Sequence, residues 1–193
     1  GWGSALNISK TTKEMISAGA SGIHIEDQVS EKRCGHRPNK EIVSSDEMCD
    51  RMKAARDAIS DDDFMLMART DAFAKEGLER TIERAEKYIE AGANALFPEA
   101  ITSLKDYKAL SEKISVPILA NITEFGMTPL FSKTELKNAG VSIILHPLSA
   151  FRAMSKAALE VYSSISQDGS VEKILEKMQS RDELYEILDY HTY

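Results

Sequence analysis

A cysteine set among cations is the most reactive grouping in this sequence. The stretch Lys32-Arg33-Cys34-Gly35-His36-Arg37-Pro38 surrounds one thiol with Lys32, Arg33, His36 and Arg37. Nearby positive charge favours the thiolate over the thiol, so the grouping suits proton transfer. Gly35 lets the backbone come close to a ligand. The plain alternative is an exposed basic loop with an incidental cysteine. Zinc binding by Cys34 and His36 lacks a second ligand pair at the required spacing. Cys49, in a helix around residues 46–60, reads as a small buried hydrophobe.

Further chemistry collects where apolar runs end. The run 22–25 leads into Glu26-Asp27-Gln28, and 64–68 into Arg69-Thr70-Asp71. The run 95–97 leads into Pro98-Glu99, 117–120 into Asn121-Ile122-Thr123-Glu124, and 141–145 into His146-Pro147. In parallel α/β folds, ligands bind at the C-terminal edge of the strands. Glu26 and Glu99 suit a hard divalent cation such as Mg2+, and pairing with Arg69 explains them nearly as well. Arg69 and Arg152 suit bidentate recognition of carboxylates, although Arg152 also reads as a surface arginine. His24 reads as a packed or hydrogen-bonded strand histidine, and His146 takes no role.

Elements that position these groups follow from the alternation of the chain. The apolar runs are strand-like, and helical spacing fills the intervals. In the stretch 81–91, Ile82, Ala85 and Ile89 form one stripe, with Glu83 and Lys87 paired outside. Ala18-Gly19-Ala20, Ala91-Gly92-Ala93 and Ala139-Gly140-Val141 each place glycine at a helix end. Five such strands predict βα units and a parallel sheet, with both faces covered because the runs are continuously apolar. The segment 27–44 is too long for a simple connection and reads as a functional loop. From Ala150 onward no strand pattern appears: a long helix to Ile165 is followed by short helices near 171–178 and 181–189.

Composition narrows the function classes. The 193 residues carry 24 basic and 31 acidic side chains, a formal net charge of −7, and 42% hydrophobic residues. The acidic balance argues against nucleic acid as partner. No apolar run approaches the ~20 residues of a membrane span. Two cysteines make a poor disulfide framework, so a cytoplasmic setting is expected.

Taken together, the motifs resemble the isocitrate lyase and phosphoenolpyruvate mutase superfamily, and within it the 2-methylisocitrate lyases. The resemblance rests on Lys32-Arg33-Cys34-Gly35-His36, Gly22-Ile23-His24-Ile25-Glu26-Asp27-Gln28, Arg37-Pro38-Asn39-Lys40 and Met67-Ala68-Arg69-Thr70-Asp71-Ala72. It continues through Leu96-Phe97-Pro98-Glu99-Ala100, Asn121-Ile122-Thr123-Glu124-Phe125-Gly126 and Pro147-Leu148-Ser149-Ala150-Phe151-Arg152-Ala153-Met154. It covers essentially the whole chain, although isocitrate lyases proper usually read Gly-Gly at Pro38-Asn39.

The resemblance implies a Mg2+-dependent (β/α)8 barrel enzyme of the methylcitrate cycle in propionate breakdown. Its substrate would be a small tricarboxylate, cleaved to pyruvate and succinate. Cys34 would be the general acid/base and Gly35 a backbone contact, in an active-site loop shared with Lys32, Arg33 and His36. Arg69 would hold the pyruvate side. Glu99, Asn121, Ile122, Thr123 and Arg152 would line the succinate side, and Arg181 would add a contact from the tail. Glu26 would reach the metal through water. The direct Asp-x-Asp ligands of the family run into a Thr-Gly-x-Gly motif, whose end Gly1-Trp2-Gly3 resembles. Both aspartates are therefore expected before residue 1, and the 193 residues alone are expected to be inactive or nearly so.

On that reading residues 1–193 form one incomplete barrel, strands 4–8 of a fold that typically needs about 250 residues. Residues 150–193 form a helical tail exchanged between subunits of a homotetramer or covering the chain's own barrel. Related lyases act on isocitrate, 2,3-dimethylmalate or oxaloacetate. A non-catalytic assembly fragment is the alternative from a different class.

Overall fold

The computed structural model describes residues 3–192. Of the glycine motif at the start, Gly1 and Trp2 lie outside the described residues. Two compact units meet in sequence at Pro147 and Leu148.

The first unit alternates strictly: α1 (Ala5–Ser17), β1 (Gly22–Glu26), α2 (Ser45–Arg56), β2 (Met65–Thr70), α3 (Phe73–Glu90), β3 (Ala95–Pro98), α4 (Leu104–Lys113), β4 (Leu119–Asn121), α5 (Lys133–Asn138) and β5 (Ile143–Leu145). Strands β1, β2 and β3 form a parallel sheet in that order, and β4 pairs with β5 in parallel. A parallel bridge between Leu96 and Ile118 links β3 to the approach to β4. The parallel α/β architecture is as the alternation predicts.

Side-chain alternation along each strand sorts the core. Ile25, Leu66, Ala68, Leu96, Ile118 and Ala120 pack with α2 residues such as Met48 and Met52 and with Tyr88 of α3. On the other face Met67, Ala95, Phe97 and Leu119 form a second apolar cluster. Burial on both faces explains why the runs read as continuously apolar. Strands β1, β3 and β5 are each preceded by a helix that ends on glycine. Ala93 N–H donates to Tyr88 O, and Val141 N–H to Leu136 O, both at 3.0 Å, while Gly92 and Gly140 have φ of 111° and 85°. Such closing bonds require a left-handed residue, which glycine supplies without a Cβ clash.

Helix α3 carries a break at Gly77 (φ 82°). Its outer face differs from the expected Glu83–Lys87 pair. Glu83 bonds Arg80, one turn earlier, while Lys87 Nζ donates to Ser45 Oγ at 3.2 Å. Two partners at i+3 and on a neighbouring helix compete for the same groups, and the sequence spacing ranks none of them. Cys49 is half-buried rather than fully buried, with Sγ 3.6 Å from Lys87 O. Burial still pushes its thiol up from the ordinary value.

The long β1–α2 connection is closed at its base. Gln28 and Ile42 form an antiparallel bridge, and Val43 N–H donates to Asp27 O at 2.8 Å. The residues between are thereby presented as a loop with a fixed stem.

In the second unit α6 (Ser149–Asp168) stops at Gly169, whose φ is 68°. A 3-10 turn (Glu172–Lys177) and α7 (Arg181–Ile187) follow, with a last 3-10 turn at Tyr190–Thr192. Ser180 and Glu183 make a reciprocal capping box at the start of α7. Lys177 Nζ reaches Glu160 Oε2 at 2.9 Å, tying the 3-10 turn back to α6.

Candidate active site

Arg69, at the end of β2, is the hub of the polar edge. Register places it beside Glu26 of β1 and beside Phe97 of β3, so Glu99 follows one step beyond. Arg69 Nε lies 3.1 Å from Asp71 Oδ2 and 3.2 Å from Glu26 Oε2, and its Nη2 lies 2.8 Å from Glu99 Oε2. The guanidinium carbon also sits 4.9 Å over the Phe97 ring. Arg69 is 9% exposed and Glu99 1%. Burial opposes the charge on Arg69, and Glu99, Asp71 and Glu26 outweigh it, raising its pKa.

Glu99 is held in turn from the other side. His36 Nε2 lies 3.0 Å from its Oε1, and Asn121 Nδ2 lies 3.3 and 3.4 Å from its two oxygens. Burial alone would raise the Glu99 pKa, but the His36 hydrogen bond and the Arg69 charge hold it below the ordinary carboxylate value. The Met127 backbone N–H donates to His36 Nδ1 at 3.0 Å. That bond assigns the tautomer: Nδ1 accepts, so Nε2 carries the hydrogen that Glu99 receives.

The Cys34 loop lies against this hub. Gln28 clamps its rising limb, accepting from Arg33 N–H at 2.8 Å and donating to Arg33 O at 2.9 Å. Arg37 N–H donates to Cys34 O at 2.9 Å, which makes the turn. Gly35 is buried, and a Cβ there would collide with Glu99 Cγ and would come within 2.8 Å of Arg69 Nη2. No other residue type fits that approach. Cys34 itself is exposed, and Lys32 Nζ pairs with Glu26 Oε1 at 3.1 Å. Gly35, His36, Lys32, Glu26, Arg69, Glu99 and Asn121, expected as one site, therefore gather around one strand edge, and Cys34 stands exposed next to Gly35. Arg33 enters through its backbone, held by Gln28.

Other expectations land differently. Ile122 is 1% exposed and packs in the helix-side core, so any ligand contact would use its main chain. Thr123 is buried beside the same edge. Arg152 lies on α6 and Arg181 opens α7, both in the second unit. His24 meets Phe97 edge-on at 5.7 Å, and burial lowers its pKa, which agrees with a packing role.

A second buried layer was not assigned from sequence. Asp27 accepts from Thr70 Oγ1 at 2.7 Å, Tyr88 Oη at 2.9 Å and Asp71 N–H at 2.9 Å. Lys40 Nζ reaches Asp71 Oδ1 at 3.0 Å and donates to Gly35 O. Asp71 had one available signal: it lies two positions beyond Arg69, on the same face of an extended strand end. Lys40 had none, since a loop lysine is ordinarily solvated.

At this edge the buried Glu26 Oε2 and Asn121 Oδ1 accept no hydrogen bond, although Glu26 Oε2 faces Arg69 Nε at 3.2 Å. Asn121 keeps its amide nitrogen toward Glu99, so its oxygen is the acceptor free for a ligand. Among the described residues no group of three His, Cys, Asp or Glu could hold a metal directly. The Glu26 oxygen fits a contact through water and does not make a metal site alone.

A family profile of phosphoenolpyruvate phosphomutase matches residues 1–166. The chain belongs to that family. A curated 2-methylisocitrate lyase of Escherichia coli (strain K12) is 58% identical over 98% of this chain. The chain spans 64% of that relative's length. Among solved structures, 2,3-dimethylmalate lyase, a member of the PEP mutase/isocitrate lyase superfamily, superposes with a TM-score of 0.88 at 32% identity. That match covers 100% of this chain and 65% of the other. Phosphonopyruvate hydrolase, solved with oxalate and Mg2+, matches at a TM-score of 0.81 and 26% identity, over 100% of this chain and 67% of its own. These likenesses place the chain with α/β enzymes of one superfamily.

Proposed function

We propose that the polypeptide carrying this chain is a carbon–carbon lyase that cleaves 2-methylisocitrate to pyruvate and succinate. The observation that carries the reading is the seating of the Cys34-Gly35 turn directly on the Arg69–Glu99 pair. In this reading Cys34 is the proton carrier and the neighbouring edge binds the carboxylates. The 58% identity to a relative named for this reaction supports the choice of substrate.

The residues divide the work by chemistry. Arg69 presents a guanidinium to the pyruvate-side carboxylate and alkoxide, and its three carboxylate partners fix its orientation. Asn121, Thr123 and the main chain of Ile122 line the succinate side with Glu99 in this reading. The substrate reacts as its alkoxide, the hydroxyl proton having passed to bulk water. As the C–C bond breaks, the alkoxide oxygen forms the pyruvate carbonyl, the electron pair stays on the carbon that becomes succinate, and Cys34 gives that carbon its proton. Seating of the loop keeps water from the carbanion. Mg2+ is the cofactor in this reading, with Glu26 reaching it through water. When bound, it supplies electrophilic stabilisation of the oxygen that becomes the pyruvate carbonyl. The described residues supply no direct ligand set, so the 193-residue chain by itself is proposed to be inactive or nearly so.

The fold in this reading is a (β/α)8 barrel, in which β1–β5 are strands 4–8, in a cytoplasmic homotetramer. Exposed apolar side chains of the second unit, among them Leu159, Tyr162 and Ile187, support subunit contacts. A substrate panel tests the reaction. With Mg2+, the full-length polypeptide is expected to show its highest kcat/KM on 2-methylisocitrate, above isocitrate, 2,3-dimethylmalate and oxaloacetate. A higher kcat/KM on any of the other three would replace the proposed substrate.

A further inference from the structure

Lys40 is a buried cation whose position no catalytic step requires. It is 8% exposed, which is rare for lysine unless its ammonium is fully engaged. Its two acceptors are Asp71 Oδ1, at 3.0 Å, and the carbonyl oxygen of Gly35. Each acceptor belongs to a different part of the site. Asp71 is the carboxylate that holds Arg69 Nε at 3.1 Å, and its own backbone is fixed by Asp27. Gly35 is the residue after Cys34, at the point where the loop touches Glu99 and Arg69.

We propose that Lys40 is a positioning residue that latches the Cys34-Gly35 turn onto the Arg69–Asp71 pair. The reasoning is geometric. Gln28 fixes the rising limb as far as Arg33, and the bridge to Ile42 fixes the base. Within the turn, His36, next to Gly35, is tied to Glu99 and to the Met127 backbone. Lys40 supplies a tie to the Gly35 carbonyl itself. It thereby fixes the peptide that follows the thiol relative to the strand edge that holds the substrate carboxylates. Lys40 also adds positive charge to a hub where Arg69 faces three carboxylates, so its bond to the neutral Gly35 carbonyl is the contact that charge balance does not explain. A misplacement of about 1 Å at such a point costs on the order of 100-fold in rate. This role rests on the proposed lyase reading for its kinetic consequence, but not for its structural one.

Two variants of the full-length polypeptide, Lys40→Met and Lys40→Arg, test the latch by two readouts. The first is tryptic cleavage after Lys32 and Arg33 in the folded protein, which needs no substrate. The second is kcat and KM with 2-methylisocitrate and Mg2+. Lys40→Arg keeps the positive charge for Asp71, and hence the fold if Lys40→Met fails to fold, while its larger head displaces the Gly35 carbonyl. Both folded variants are expected to be cut about 10-fold faster at the loop, as local opening is eased. Both are expected to lose about 100-fold in kcat with KM changed far less. Wild-type cleavage or wild-type kcat in Lys40→Arg overturns the latch and leaves charge balance as the role of Lys40. The two proposals fail separately. Faster loop cleavage with no turnover of 2-methylisocitrate by the unmodified polypeptide removes the lyase reading and retains the latch.

Discussion

At the scale of single residues, the site is a set of buried charges that stay ionised because they are paired. Glu99 shows this most directly, since His36 and Arg69 hold its pKa below 4.5 against the effect of burial. A depressed carboxylate pKa means that the folded state binds the proton less readily than the unfolded chain. The stability that Glu99 contributes is therefore fully present above its ordinary value and is lost as pH falls through its lowered one. Denaturant titrations from pH 7 downward are expected to show that loss in the wild type and a flatter acid limb in Glu99→Gln; identical limbs would contradict the pairing. Residue types gave away half of this site. Arg69, Glu99 and Asn121 stand at strand ends, where polar side chains in a parallel sheet meet ligands. Asp27 and Lys40 were not readable in the same way, because their partners lie far along the chain: 44 residues separate Asp27 from Asp71 and 31 separate Lys40 from it. Only the folded sheet brings them together. The side-chain direction of Ile122 was hidden for a related reason, since β4 ends at Asn121 and alternation beyond a strand end is not binding.

At the scale of elements, the helix–glycine–strand units account for how the edge is built. Gly19, Gly92 and Gly140 each end one helix and turn the chain into the next strand, while the parallel register sets Glu26 beside Arg69 at one level. Gly92 also abuts Arg56, whose Cβ would lie 2.8 Å from an added methyl group. Gly92→Ala is expected to destabilise the fold by more than about 1 kcal/mol, through both the φ of 111° and that contact. Equilibrium urea unfolding checks this, and an unchanged midpoint would show that the cap is not strained. Leu66, fully buried in β2, is expected to cost about 2–5 kcal/mol when cut to alanine. The strands and the glycine caps were legible because apolar runs and left-handed caps are local signals. The outer-face pairs of α3 were not, because Lys87 chose a partner on α2.

At the scale of the whole molecule, family membership and the strand-edge site agree, and the substrate and assembly follow as proposals. No helix among the described residues is long and apolar enough to cross a membrane. The proposed homotetramer predicts that the full-length polypeptide sediments at four times its chain mass, and a monomer at micromolar concentration would contradict it. The central claim is that Cys34 carries the proton in carbon–carbon cleavage. Its most direct measurement is pyruvate formation from 2-methylisocitrate with Mg2+, comparing the full-length polypeptide with its Cys34→Ser variant. Serine keeps the shape but is a far poorer proton donor and acceptor, so kcat is expected to fall by about 100- to 10,000-fold. Undiminished turnover in Cys34→Ser would contradict the account.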